Sequence, residues 1–205
     1  MSNTLQVLSA LVAVTAAMVV IVLARPKLLR RSSGRAMAFI AFFVLPLVIT
    51  YGGTRVHLEG AKSTQFCLSC HEMEPFGQSL HLEDKEYLPA THFQSRLVPR
   101  EQACFTCHTE YTLFGGLRAK LRGLNHVYVH YLGTPPAPKD IKLYEPYSNR
   151  ECMHCHEGSR KYLEIDPHRE EAAGIASGKL RCMECHEKVH APGEVADLPK
   201  WEPPK

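Results

Sequence analysis

All eight cysteines of this chain fall in the five-residue pattern Cys-x-x-Cys-His. The four copies are Cys67-Leu-Ser-Cys70-His71, Cys104-Phe-Thr-Cys107-His108, Cys152-Met-His-Cys155-His156 and Cys182-Met-Glu-Cys185-His186. This is the attachment signature of c-type haem. Two thiols three positions apart each form a thioether to one vinyl group of the same porphyrin, and the histidine behind them falls beneath the iron as an axial ligand. A zinc knuckle or a redox dithiol also uses Cys-x-x-Cys. Four copies, each with its histidine and with no thiol left over, point instead to four covalent haems and to electron transfer.

Each iron has a second axial face. Beyond the motif ligands His71, His108, His156 and His186, three histidines stand where distal ligands are needed: His92 before the second motif, His168 between the third and fourth, and His190 after the fourth. His190 follows its motif by four residues, too few to reach the far face of the same haem, so it serves another. Three haems are then bis-histidine and one is different. The odd one is the first, whose motif continues Cys70-His71-Glu72-Met73. His71 and Met73 are too close in sequence to bind opposite faces of one iron. Met73 either replaces His71 and leaves the far side open or weakly filled, or it packs beside the porphyrin as an adaptable apolar side chain.

A net charge of +3 gives no reason to expect nucleic acid as a partner. The apolar content of 45% looks globular, but much of it lies in the first fifty-odd residues, and the remainder holds the single Trp and few long apolar runs. Porphyrins would supply the missing apolar bulk. The expected fold is therefore mainly α with little regular structure, an N-terminal transmembrane anchor followed by a haem-packed tetrahaem cytochrome domain.

Residues 2–24 carry no charge, close to the ~20 residues that cross a bilayer as a helix. The length of the run and the missing basic n-region argue against a secretory signal. Arg25 to Arg35 then places five positive charges in eleven residues without an acid, and residues 36–54 form a second uncharged run interrupted by Pro46. The expected organisation is an anchor over 1–54 with spans about 4–24 and 36–54, a basic cytoplasmic loop 25–35, a periplasmic domain 55–195 and a proline-rich tail 196–205. A single span is the alternative. Haem attachment outside the cytoplasmic membrane and the positive-inside rule agree on orientation, with the haem domain and both termini on the periplasmic side of a bacterial inner membrane.

One stretch is strongly periodic. Leu113, Leu117, Leu121, Leu124, Val127, Tyr128 and Tyr131 recur three and four apart, as in an amphipathic helix. Arg118, Arg122, Asn125, His126 and His130 take the other face. Such a helix either lies on the membrane surface or packs on the haems. Lys120 falls within the apolar stripe, where an unpaired ammonium is costly and must snorkel, pair or bind something. His126 projects well round the helix from it.

In these features the chain resembles the NapC/NirT family of membrane-anchored tetrahaem cytochromes, which includes the small subunit of cytochrome c nitrite reductase complexes. The resemblance rests on the anchor, the four motifs, the Cys-His-x-Met extension and the Cys-His-x-x-x-His ending at His190, and it covers residues 36–195. It implies a quinol dehydrogenase subunit that oxidises menaquinol or ubiquinol and passes electrons to a periplasmic terminal reductase of the nitrite or nitrate type, with room for a homo-oligomer. It also implies that Met73 ligates haem 1 and His92 serves haem 3, leaving His190 for haem 2 and His168 for haem 4. Relatives contact quinol through a lysine that falls on Lys120, twelve residues after His108. Some relatives carry an aspartate six or seven residues further on; here His126 and Val127 stand instead, so His126 enters as a candidate haem 1 ligand or proton acceptor. Two other readings remain open: a passive anchor and electron wire with no quinol site, and a multihaem reductase with an open catalytic iron.

Overall fold

A computed structural model describes residues 3–190, 195 and 197–202. The chain divides into two compact units, Met1–Ala61 and Lys62–Lys205.

The first unit is a pair of helices. Asn3–Ala24 is an uninterrupted helix of 22 residues, roughly 33 Å long at 1.5 Å per residue and so matched to a bilayer core. The basic segment turns through Pro26–Arg30, and a second helix runs over Ser32–Gly60. Pro46 lacks an N–H and its ring crowds the carbonyl four residues back. The helix meets this with a π turn over Ile40–Val44 rather than a break. Leu23, Phe39, Leu47 and Tyr51 all face outward, as lipid-facing side chains do. The two helices approach closely where Gly52 meets Leu8: a Cβ there would lie 2.9 Å from Leu8 Cδ2, so the bare glycine admits the contact. The second helix is longer than the uncharged run 36–54 because Arg55–Glu59 contains no proline or glycine to stop the backbone ladder.

The second unit contains no strand among the described residues, only an isolated antiparallel bridge between Leu82 and Lys200. Short helices carry most of it, including Thr64–Cys67, Leu88–Gln94, Ala103–Cys107, Asn149–His156 and Asp166–Glu170. Its buried apolar cluster is small: Leu82, Tyr87, Ala90 and Val195. The proline-rich tail, described over 197–202, does not run free. Glu83 N–H donates to the Pro199 carbonyl at 2.9 Å and Trp201 N–H to the His81 carbonyl at 2.6 Å. The ends of that expected segment, 196 and 203–205, lie outside the described residues.

The longest element here is Gly115–Leu132. It can start where it does because Gly115 has no Cβ, which would sit 1.6 Å from the Glu110 carbonyl oxygen. Its apolar stripe points away from the rest of the unit, with Leu117, Leu121, Leu124 and Tyr131 exposed. The inward side at the start of the helix is made of small residues, Gly115, Gly116 and Ala119, and a Cβ on Gly116 would meet Phe105 at 3.7 Å. Small side chains bring the backbone close to the second motif and leave the large ones outside.

Candidate haem-binding sites

Each motif is held by a short helical turn. Ser63 caps Thr64–Cys67, its hydroxyl accepting from Phe66 N–H at 3.1 Å. Ser148 caps Asn149–His156 in the same way. In that helix Cys152 and Cys155 are three apart and share a face, which is what two thioethers to one macrocycle require.

The four motifs are fastened in order by three sets of hydrogen bonds. Thr64 Oγ1 donates to the Arg100 carbonyl at 2.7 Å and accepts from Ala103 N–H at 2.8 Å, tying the first motif to the second. Tyr147 donates its hydroxyl to the Cys107 carbonyl, and Tyr111 N–H donates to Glu151 at 3.1 Å, tying the second to the third. Asn149 donates to the carbonyls of Ile175 and Leu180 at 2.9 and 2.7 Å and accepts from Cys182 N–H at 2.9 Å, tying the third to the fourth.

Three motif histidines each face one of the histidines expected as distal ligands. Ring centres are 6.1 Å apart for His108 and His190, 5.9 Å for His156 and His92, and 6.1 Å for His186 and His168. A metal with an imidazole on each side needs ring centres about 6 Å apart, from about 2 Å per metal–nitrogen bond and about 1 Å from nitrogen to ring centre. The distal rings are also fixed in the right tautomer. His92 Nδ1–H donates to the Leu88 carbonyl at 2.8 Å and His168 Nδ1–H to the Tyr162 carbonyl at 3.1 Å. Ser79 gives its proton to the Phe76 carbonyl at 2.6 Å, so its oxygen accepts Nδ1–H of His190 at 2.8 Å. Each arrangement leaves Nε2 for a metal, the usual support of a ligating histidine. Burial first, and then His108, push His190 down to about 4, keeping it in the neutral form that binds iron. These residues fit three bis-histidine haems in the pairing 2 with His190, 3 with His92 and 4 with His168.

The first motif is built differently. His71 and His130 have ring centres 5.9 Å apart, but one carboxylate serves both rings. Glu72 Oε1 accepts from His130 Nδ1 at 2.6 Å, and Glu72 Oε2 lies 3.3 Å from His71 Nδ1. An iron between two imidazoles places their Nδ1 atoms about 8 Å apart on opposite faces of the porphyrin, where a single carboxylate cannot reach both. The cluster is a histidine–carboxylate–histidine bridge. The Glu72 backbone N–H, and then the His130 ring, hold the Glu72 carboxyl below its ordinary range. Met73 lies partly buried beside it. Neither His130 nor Glu72 stands out in the sequence as a site residue; they are 58 positions apart, and the open face of haem 1 directed attention to Met73 and His126 instead.

Lys120 sits between the first two motifs. Its ammonium lies 4.6 Å from the Phe105 ring centre and 5.9 Å from that of Phe66. Burial lowers its pKa. His126 is elsewhere, six residues on and about 120° round the helix, 3.2 Å through Nδ1 from the Tyr144 hydroxyl.

A family model described as "NapC/NirT cytochrome c family, N-terminal region" matches residues 30–195. The cytochrome c-type protein NapC of Escherichia coli (strain K12) is 22% identical over 172 residues, covering 76% of this chain and 80% of its own length. The cytochrome c-type protein TorC of the same strain is 25% identical over 182 residues, 78% of this chain and 44% of TorC. The denitrification system component NirT of Stutzerimonas stutzeri is 24% identical over 178 residues, 79% of this chain and 85% of NirT. No solved structure matches the chain.

Proposed function

The chain belongs to the NapC/NirT cytochrome c family, and from that premise we propose that this membrane-anchored cytochrome carries four haems, oxidises membrane quinol and passes the electrons to a periplasmic reductase of the nitrite or nitrate type. Haem c, when bound, supplies reversible one-electron transfer at a potential set by ligands and burial. The observation that carries the reading is the threefold match of motif and distal histidines at about 6 Å, each distal ring fixed through Nδ1.

The chain's own residues do the positioning. Thr64, Tyr147 and Asn149 hold consecutive motifs together, so that the redox centres run 1, 2, 3, 4. His92, His168 and His190 close three of them against exogenous ligands, which speaks for conduction rather than catalysis there. Lys120, between Phe66 and Phe105, is placed to hydrogen-bond a quinol oxygen beside the first motif. A quinol bound there gives up two electrons and releases two protons to water. His126, against Tyr144, lies apart from that position, and the quinol contact rests on Lys120 alone. The basic segment 25–35 faces the cytoplasm, which puts the haem-carrying unit on the periplasmic side.

The test uses the full haem-loaded chain in detergent. Its mass is that of the polypeptide plus four haems, and menaquinol or ubiquinol analogues reduce it. Lys120→Leu keeps four haems and reduction by dithionite but loses reduction by quinol. If quinol still reduces Lys120→Leu at the wild-type rate, the lysine assignment fails. If neither quinol reduces the wild type, the protein is a passive conduit.

A further inference from the structure

The outward face of the Gly115–Leu132 helix is unused by the haem sites. Leu117, Leu121, Leu124, Tyr128, Tyr131 and Leu132 are half to three-quarters exposed. At 100° per residue these six fall within an arc of about 100°, with Lys120 at its edge, between Tyr131 and Val127. Arg122, His126 and His130 project in the opposite direction. They are the residues that reach Glu110, Tyr144 and Glu72. The side chains that tie this helix to its neighbours therefore leave from the face opposite the apolar one.

Covalent connection limits what can cover it. Lys120, at the margin of this face, is 5.9 Å from the Phe66 ring. Phe66 follows the end of the second membrane-length helix at Gly60 by six residues, a reach of at most roughly 20 Å when fully extended. The nearest large apolar phase within that tether is the bilayer itself. The composition suits its boundary: leucines along the arc, tyrosines toward one end and basic Arg118 and Lys120 at the margins, the pattern of helices that lie in the interfacial plane.

We propose that this face is a lipid-contacting surface, with Leu117, Leu121 and Leu124 set among the acyl-chain ends and Lys120 at the level of the phospholipid headgroups. This stations the lysine at the depth where a lipid-soluble reductant must be met. The inference rests on the membrane anchor and stands or falls separately from quinol oxidation.

The native cysteines are consumed as thioethers in the haem-loaded protein, so an added cysteine is a unique label site. Leu121→Cys, Leu124→Cys and, as a control, the exposed Lys179→Cys are each given a nitroxide in the full chain, in vesicles of phosphatidylethanolamine and phosphatidylglycerol. Mass spectrometry confirms four haems and one label. The expected result is that the labels at 121 and 124 lose collisions with a water-soluble nickel chelate and gain collisions with oxygen, whereas the label at 179 shows the reverse. Chelate access at 121 and 124 equal to that at 179 overturns the proposal, since the face is then in water. Shielding from both reagents also overturns it, since a protein then covers the face. Either added cysteine alone suffices if the other variant fails to assemble. A wild-type mass short of four haems would instead count against the tetrahaem reading.

Discussion

The first motif and the other three have the same five-residue pattern and different surroundings. His108, His156 and His186 each look across about 6 Å at a histidine whose Nδ1 is occupied elsewhere, by Ser79 or by a backbone carbonyl. His71 looks at a histidine whose Nδ1 is held by its own neighbour Glu72. Three sites are thus furnished with two imidazoles on opposite sides, and the fourth has its two imidazoles on the same carboxylate. A centre closed on both faces conducts; one with an uncommitted face can accept another group. The difference puts the distinctive site at the end of the row nearest Lys120, with Met73 partly buried on the same motif.

Ligand deletion tests the comparison most severely. His92→Ala, His168→Ala and His190→Ala are each expected to turn one of four irons from low to high spin, read by electron paramagnetic resonance of the oxidised protein, while His130→Ala adds no high-spin iron. Should His130→Ala behave like the other three, the distinction between the motifs collapses. Next, Met73→Leu is expected to change the spectrum of one haem only and to abolish any methionine-to-iron charge-transfer band; an unchanged spectrum makes Met73 a packing residue. Smaller effects should come from the fastenings. Thr64→Val leaves the Ala103 N–H and the Arg100 carbonyl without their partner, for about 1–3 kcal/mol. Asn149→Ala removes three bonds and should cost more. Denaturant midpoints followed through the haem absorption rank the two. Smallest is Ser79→Ala, which keeps His190 on the iron but takes away the acceptor for its Nδ1–H. Ligand basicity falls, and redox titration should show one potential moving upward with the spin state unchanged.

Much of this site could be read from the sequence because its chemistry is counted in rare residues. Cysteine pairs with following histidines announce themselves, and counting imidazoles singles out His92, His168 and His190, whose rings lie about 6 Å from those of His156, His186 and His108. Thr64 and Asn149 were not visible, since a threonine or an asparagine near a helix start has an ordinary use as a cap and its long-range partners leave no local trace. The Gly115–Leu132 helix shows a subtler limit. Its periodicity identifies an apolar side but carries no sign saying inward or outward, so it fits a membrane surface and a haem-packed core equally. The small residues Gly115, Gly116 and Ala119 are the missing clue, because a helix presses its backbone where its side chains are shortest. The anchor was read from absence of charge, which finds the length in lipid; it could not see that the second helix runs on through Arg55 and Glu59 to Gly60.

The clasp between the far end of the chain and His81–Glu83 bears on how the molecule is made. A polypeptide is delivered amino end first, so the second motif emerges long before His190, the ring that faces His108. Val195, wholly buried with Leu82, and the strand-like contact at Pro199 to Trp201 come later still. During synthesis and export the second site is therefore half-equipped while the first, with Glu72, Met73 and His71 contiguous, already holds its local set. The ring that faces His108 is therefore delivered 82 residues after it, and a chain stopped before residue 190 would lack that partner.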